Sequence, residues 1–341
     1  MKTKHILSIT ALLLIAVLAA ASFTSCAKKD DPLPTLRTPD ESETFTFGTY
    51  TYIKNTDGTA IITAYSGSET SIVLPAMLDG CGVVGIGAGA FSENETITSL
   101  TLPADLETID EYAFAYCTSL SRIDIPGKKL WRVGAAAFVG TPWLASMTDE
   151  FAVIGQGVLL KYQGRGGFVE IPSGVRYITD AFTMNESVTC VNIPDSVRYI
   201  GDSAFAYCTE LRRVEFGGRL ISVGNSAFEG CETLSAITLG DSLTTIGEYA
   251  FRDCYQLSYA KLGRSVEKIS TGAFFGTQRL KVIYLPASLK CIENDAFADC
   301  FSLSLLLYES DDEAFEAIEC ATSNYILTEA ERRCNYSGGI E

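Results

Sequence analysis

The 341-residue chain is expected to fold as a mainly β solenoid of about 8–9 stacked turns with a 23-residue period, carrying an N-terminal β-hairpin cap and a short C-terminal helical cap. Three observations support this. An Ala-Phe dipeptide recurs with its ring at Phe91, Phe114, Phe138, Phe182, Phe205, Phe228, Phe251, Phe274 and Phe297, at gaps of 23, 24, 44, 23, 23, 23, 23 and 23 residues. Leu, Ile or Val keeps constant offsets from each dipeptide, and Pro or Gly follows the first strand of each unit. Such a unit can bury its apolar side only against its neighbours, so one long core is expected in one elongated domain.

One unit read in full justifies each position. Leu234-Ser-Ala-Ile237-Thr-Leu239 alternates as a short strand, and Gly240-Asp241-Ser242 turns the chain. Leu243 and Ile246 point inward again, and Gly247 leaves room for the backbone. Ala250-Phe251 then sets a small residue beside a ring, and Cys254 closes the turn before Leu257 opens the next. Pro103, Pro126, Pro172, Pro194 and Pro286 occupy the slot that Gly217, Gly240 and Gly263 fill elsewhere, at a strand end where a missing N–H is tolerated.

Written as L-x-x-I-x-L-P-x-S-L-x-x-I-G-x-x-A-F-x-x-C, this unit resembles the BspA-like leucine-rich repeat family over about residues 44–336. The resemblance implies a leucine-rich repeat solenoid at 91–308. The period breaks between Phe138 and Phe182, where Phe151-Ala-Val-Ile-Gly-Gln-Gly157-Val-Leu-Leu-Lys-Tyr162 reads as two strands about a Gly-Gln-Gly turn, a hairpin insert at 141–167 projecting from the solenoid. The unit between Pro172 and Phe182 is one residue short.

Both ends need covering, because open strand edges invite aggregation. At 44–90, two β-rich runs about Asn55-Thr-Asp-Gly58 predict a hairpin cap and the first turn. At 309–341, Asp311-Asp-Glu-Ala-Phe315-Glu-Ala-Ile318-Glu predicts a short helix with acids in its first turn, and residues 324–336 are expected to close the last turn.

The N-terminus indicates location. Lys2 and Lys4 precede an apolar run at 6–21, and Thr24-Ser25 precede Cys26, the layout of a signal peptide at 1–25 followed by a lipoprotein box. Bacterial lipoproteins similar to this are cleaved before the cysteine and lipidated on it, which makes Cys26 the lipidation site. Ala27-Lys-Lys-Asp-Asp31 resembles the charged stretch that sends Bacteroidetes lipoproteins to the outer leaflet of the outer membrane. Residues 26–43 read as a disordered tether. Loss of Lys2 and Lys4 leaves 24 basic against 42 acidic residues, net −18. That charge disfavours nucleic acid as a partner.

Ten cysteines remain after Cys26. Cys117, Cys208, Cys231, Cys254 and Cys300 each fall three residues after a repeat Phe, in a slot that Asn94, Thr141, Asn185 and Thr277 share. This predicts buried free thiols that hydrogen-bond backbone, since parallel in-register positions suit disulfides poorly. With no C-x-x-C pair, neither a zinc site nor any other cofactor is expected.

The single histidine, His5, lies inside the expected signal. The mature chain therefore lacks the side chain on which Ser-His-Asp, Cys-His and His-zinc catalysis depend. A carboxylate-pair glycosidase is the remote enzymatic alternative. Function is expected instead on the outward face of the first strands. There Arg213, Glu215, Tyr259, Lys261 and Tyr284 form the candidate ligand-binding set. The resemblance implies adhesion, through a protein or glycan ligand. The alternative is a structural subunit of an outer-membrane complex. Three Asp-Ser-apolar triplets, at Ser196, Ser203 and Ser242, resemble O-glycosylation sites of Bacteroidetes exported proteins.

Overall fold

The computed structural model describes residues 39–336. The signal segment, Cys26, residues 27–38 of the tether and the last five residues lie outside the described residues.

Each turn contributes two short strands, which stack in parallel on their counterparts in adjacent turns. The first strands form a front ladder, running through Ser71–Val73, Ser99–Thr101 and Arg122–Asp124. It resumes at Gly167–Glu170, Val188–Asn192 and Arg213–Glu215, then runs from Ala236–Thr238 to Glu331–Arg333. The second strands form a back ladder of seven and nine strands.

The Ala-Phe dipeptide has two tasks in this stack. The rings pile face to face, with centroids 5.3 Å apart from Phe228 to Phe251, from Phe251 to Phe274 and from Phe274 to Phe297. Each alanine carbonyl accepts the phenylalanine N–H of the preceding turn, as in Phe228 N–H to Ala250 O and Phe251 N–H to Ala273 O, both 2.8 Å. Alanine fits because its side chain is also buried, and full burial of each ring contributes about 1.5–3 kcal/mol.

The structure has about 12 turns, against the 8–9 expected. Nine carry Ala-Phe, and three more hold the same place with other residues. Tyr65 stacks on Phe91 at 5.2 Å, and Tyr162 stacks on Phe182 at 4.7 Å. The last turn is built by the C-terminal cap, where Asn324 Oδ1 accepts Phe297 N–H at 3.0 Å. A count of Ala-Phe pairs passes over all three, because a tyrosine ring or an asparagine amide fills the slot by the same contacts.

The insert does not project. Phe151–Ile154 and Val158–Tyr162 pair antiparallel, and Val158–Tyr162 also pairs in parallel with Tyr177–Ile178, so it serves as a strand of the back ladder. Its side chains are divided between two cores. Val158 and Leu160 join the N-terminal apolar cluster, while Leu159 and Tyr162 join the C-terminal one. The single expected core is therefore two cores that share this strand, because no Ala-Phe loop follows it to carry the ring stack across.

At the N-terminal end, Tyr50–Asn55 and Ala60–Tyr65 pair antiparallel about the Asn55–Gly58 turn. Residues 39–43, expected in the tether, instead belong to a third strand, Pro39–Phe47, with Pro39 opposite Asn55 and Asp40 opposite Lys54. Proline at a strand start and acids along an edge are compatible with such pairing, so the tether-like composition misled. At the other end a helix spans Asp312–Glu316, with the Asp311 side chain capping Ala314 N–H at 2.9 Å.

Candidate functional site

The front ladder carries the sequence-predicted residues, and it treats them unequally. Arg213 and Glu215 project from one strand and pair with each other, Nη2 to Oε1 at 2.6 Å, while staying 70% and 50% exposed. A pair so exposed contributes about 0–1 kcal/mol, so both groups are free to exchange partners. Arg122 and Asp124 repeat the Arg-x-acid spacing three front-ladder strands earlier, and both are exposed.

Tyr259 and Lys261 share the next exposed part of the ladder, half-buried and in register with Val282 and Tyr284. Tyr284 is not presented. It is 2% exposed, its Oη donates to Tyr336 O at 3.2 Å, and the Tyr336 ring lies across it at 5.7 Å. Tyr336 is held there by its N–H donating to Tyr308 O at 3.0 Å. The C-terminal segment thus closes the ladder over Tyr284, leaving it as a support on which Lys261 Nζ rests 5.3 Å from the ring centroid. The period gives no signal of this cover, because residues 334–336 stand outside it.

Phe168 was missed as an outward residue of the same ladder. It stands opposite Cys190 and is 62% exposed. The interrupted period hid its register, although the alternation of Phe168-Val169-Glu170-Ile171 carries the signal.

Behind the ladder the cysteine slot is structural. The thiols of Cys117, Cys208, Cys231, Cys254 and Cys300 donate to the carbonyl of a Phe in an earlier turn at 3.0–3.2 Å. Thr141 and Thr277 donate to the carbonyl of their own turn's Phe, and the Asn94 and Asn185 side chains accept backbone N–H groups. Burial pushes the thiol of Cys117 up to about 11 and those of Cys208 and Cys300 up to about 12. They remain protonated donors. Among the described residues no group of three or more His, Cys, Asp or Glu is arranged to hold a metal ion, and no helix is long and apolar enough to cross a membrane. The Ser196 hydroxyl is buried, so it is not presented for modification.

Where the two cores meet, a polar cluster fills the gap. Arg132 Nη1 contacts Asp110 Oδ1 at 2.8 Å, Asp180 Oδ2 accepts Ala136 N–H at 2.9 Å, and Asp202 Oδ1 accepts Asn225 N–H at 2.6 Å. Burial raises both the Asp180 and Asp202 carboxyls, and these N–H groups pull them partly back. The cluster satisfies backbone rather than lining a cleft.

The BspA type Leucine rich repeat region matches the chain in six copies, over residues 41–159 and 169–304. No curated protein matches it. Among solved structures, it is similar to a leucine rich cell surface protein from Faecalibacterium prausnitzii, at 23% identity over 82% of this chain and 98% of that one, with a TM-score of 0.41. It is also similar to the pneumococcal vaccine antigen PcpA, at 13% identity over 86% and 98%, TM-score 0.47. A leucine-rich repeat protein from Bacteroides ovatus shares 19% identity over 85% and 99%, TM-score 0.30. With the family's repeat matched over most of its length, the chain belongs to the BspA-type leucine-rich repeat family.

Proposed function

We propose that this protein is a non-catalytic, lipid-anchored surface protein that binds a macromolecular partner through its front ladder. One observation carries the reading. The inward positions repeat the same residues turn after turn, whereas the outward positions of the ladder, from Arg122 and Asp124 through Arg213 and Glu215 to Tyr259 and Lys261, differ in charge and shape. A surface that varies on an invariant frame suits recognition, and leucine-rich repeat proteins generally mediate protein binding. The mixed-sign charges favour a protein partner over nucleic acid. Anchoring rests on the Lys2, Lys4, apolar run and Cys26 pattern.

Protease shaving of intact cells, with a Cys26→Ala control, tests display. The wild-type protein is expected to be cleaved at the surface and the control released from the membrane fraction. Protection of the wild-type protein contradicts surface display. Pull-down from solubilised membranes then separates an adhesin from a subunit. A stoichiometric outer-membrane partner makes it a subunit, and capture of matrix protein or foreign cells makes it an adhesin.

A further inference from the structure

The interruption of the period creates an open surface recess, and we propose that it binds neutral saccharide rings. The recess measures about 350 Å³ and lies between residues 148–150 and 163–168. This size falls at the lower end of small-ligand sites, and insertions in repeat proteins commonly decorate a binding face.

Three features of its walls fit a sugar. Phe168 offers a ring that is 62% exposed, a flat apolar platform for the C–H face of a pyranose. Arg165 and Glu150 line the same space, both exposed and neither in an ion pair among the described residues. One supplies only donors and the other only acceptors, which together match hydroxyl groups that do both. One positive and one negative side chain balance, so the site favours no net ligand charge, and a chain of net charge −16 disfavours an acidic glycan.

The walls are also held in place before any ligand arrives. Gln163 Nε2 donates to Met147 O at 2.7 Å and to Asp149 O at 2.8 Å, tying one side of the recess to the other. Tyr162 is anchored in the ring stack, and its Oη accepts Gly166 N–H at 3.3 Å. At Gly164 a Cβ would lie 2.4 Å from Tyr162 Oη and 2.5 Å from Glu150 Oε1, so a larger residue there would displace the ends of these two side chains. Preorganisation of this kind lowers the ordering cost of binding.

Saturation-transfer NMR on the full chain, in a zwitterionic detergent without a sugar headgroup, tests the proposal. The probes are maltotriose, mannotriose and N-acetylchitotriose, with a sialylated trisaccharide as the acidic comparison. Transfer to the ring C–H protons of at least one neutral sugar is expected. Phe168→Ala and Arg165→Ala should each weaken binding at least tenfold, while Phe168→Tyr retains it. Both side chains are exposed, so an unchanged melting temperature will show that the variants are folded. The proposal is overturned by absence of transfer to all three neutral sugars, by binding of the sialylated sugar alone, or by equal transfer in folded Phe168→Ala and Arg165→Ala. Phe168 also stands on the ladder but Arg165 lies outside its strands, so Arg165→Ala should weaken sugar binding and leave the pull-down partner unchanged, and either reading can fail while the other stands.

Discussion

The Asp180 carboxylate accepts the Ala136 backbone N–H at 2.9 Å across 44 positions of sequence. In regular turns the equivalent N–H meets a carbonyl of the following turn, as Ser203 meets Asn225 O at 2.9 Å and Ser226 meets Glu248 O at 2.8 Å. The insert strand has no loop to offer that carbonyl, and Asp180 reaches back in its place. Asn324 does the same for Phe297 at the C-terminal end.

Removal of that acceptor should therefore be costly. Asp180→Ala leaves a half-buried N–H unpaired and is expected to destabilise the protein by about 1–3 kcal/mol. Asp180→Asn keeps an acceptor oxygen and should cost clearly less. Urea denaturation of both variants checks the difference, and equal losses would remove the capping role.

The cluster also predicts a pH dependence of known sign. Burial raises the Asp202 carboxyl above its ordinary 3.8, so the folded state binds more protons than the unfolded state in the window between the two values. The stability this group contributes is full below 3.8 and is lost as pH rises through the folded value. Asp202→Asn retains the oxygen that accepts Asn225 N–H but does not ionise. Its stability relative to wild type should rise as pH increases above 3.8, measured from paired urea midpoints. A difference that stays constant with pH, or runs the other way, contradicts the assignment.

The ring stack makes a separate prediction. Phe228 is fully buried between Phe205 and Phe251, with centroids at 5.0 and 5.3 Å. Phe228→Ala should cost about 3–5 kcal/mol. Thermal unfolding followed by circular dichroism reads the loss, and a loss below about 1 kcal/mol would mean the ring is not an element of the core.

Much of this was legible in the sequence, because a 23-residue period dictates the stack once Phe, Leu and Ile keep their offsets. The hydrogen-bonding role of the cysteine slot could be read as well, since Thr and Asn alternate with Cys there. What escaped was chemistry that substitutes for the pattern. Tyr65 and Tyr162 stand in for phenylalanine, and Pro39–Phe47 pairs as an edge strand despite a tether-like composition. In the candidate site, Arg213, Glu215, Tyr259 and Lys261 lie on the ladder as their spacing indicates. The cover over Tyr284 and the exposure of Phe168 both depend on segments outside the repeat.

Thiol reactivity offers a test of the interior. Cys117, Cys208, Cys231, Cys254 and Cys300 are buried, while Cys81, Cys190, Cys291, Cys320 and Cys334 are half-buried or exposed. Ellman's reagent should leave the first five unmodified in the native protein and reach them only in guanidinium. Native modification of Cys231 or Cys254 would show that the turns are not closed.

The central claim is that at the Ala-Phe bends a turn hands backbone N–H groups to the following turn, and that oxygens of Asp180, Ser323 and Asn324 stand in where that turn has no carbonyl to offer. Amide hydrogen exchange at Ala136 tests this most directly. The amide should be protected in the wild-type protein to the level of Tyr112, whose N–H donates to Ala135 O at 3.1 Å, and should lose that protection in Asp180→Ala. Rapid exchange of Ala136 in the wild-type protein, or protection unaltered by Asp180→Ala, would contradict it.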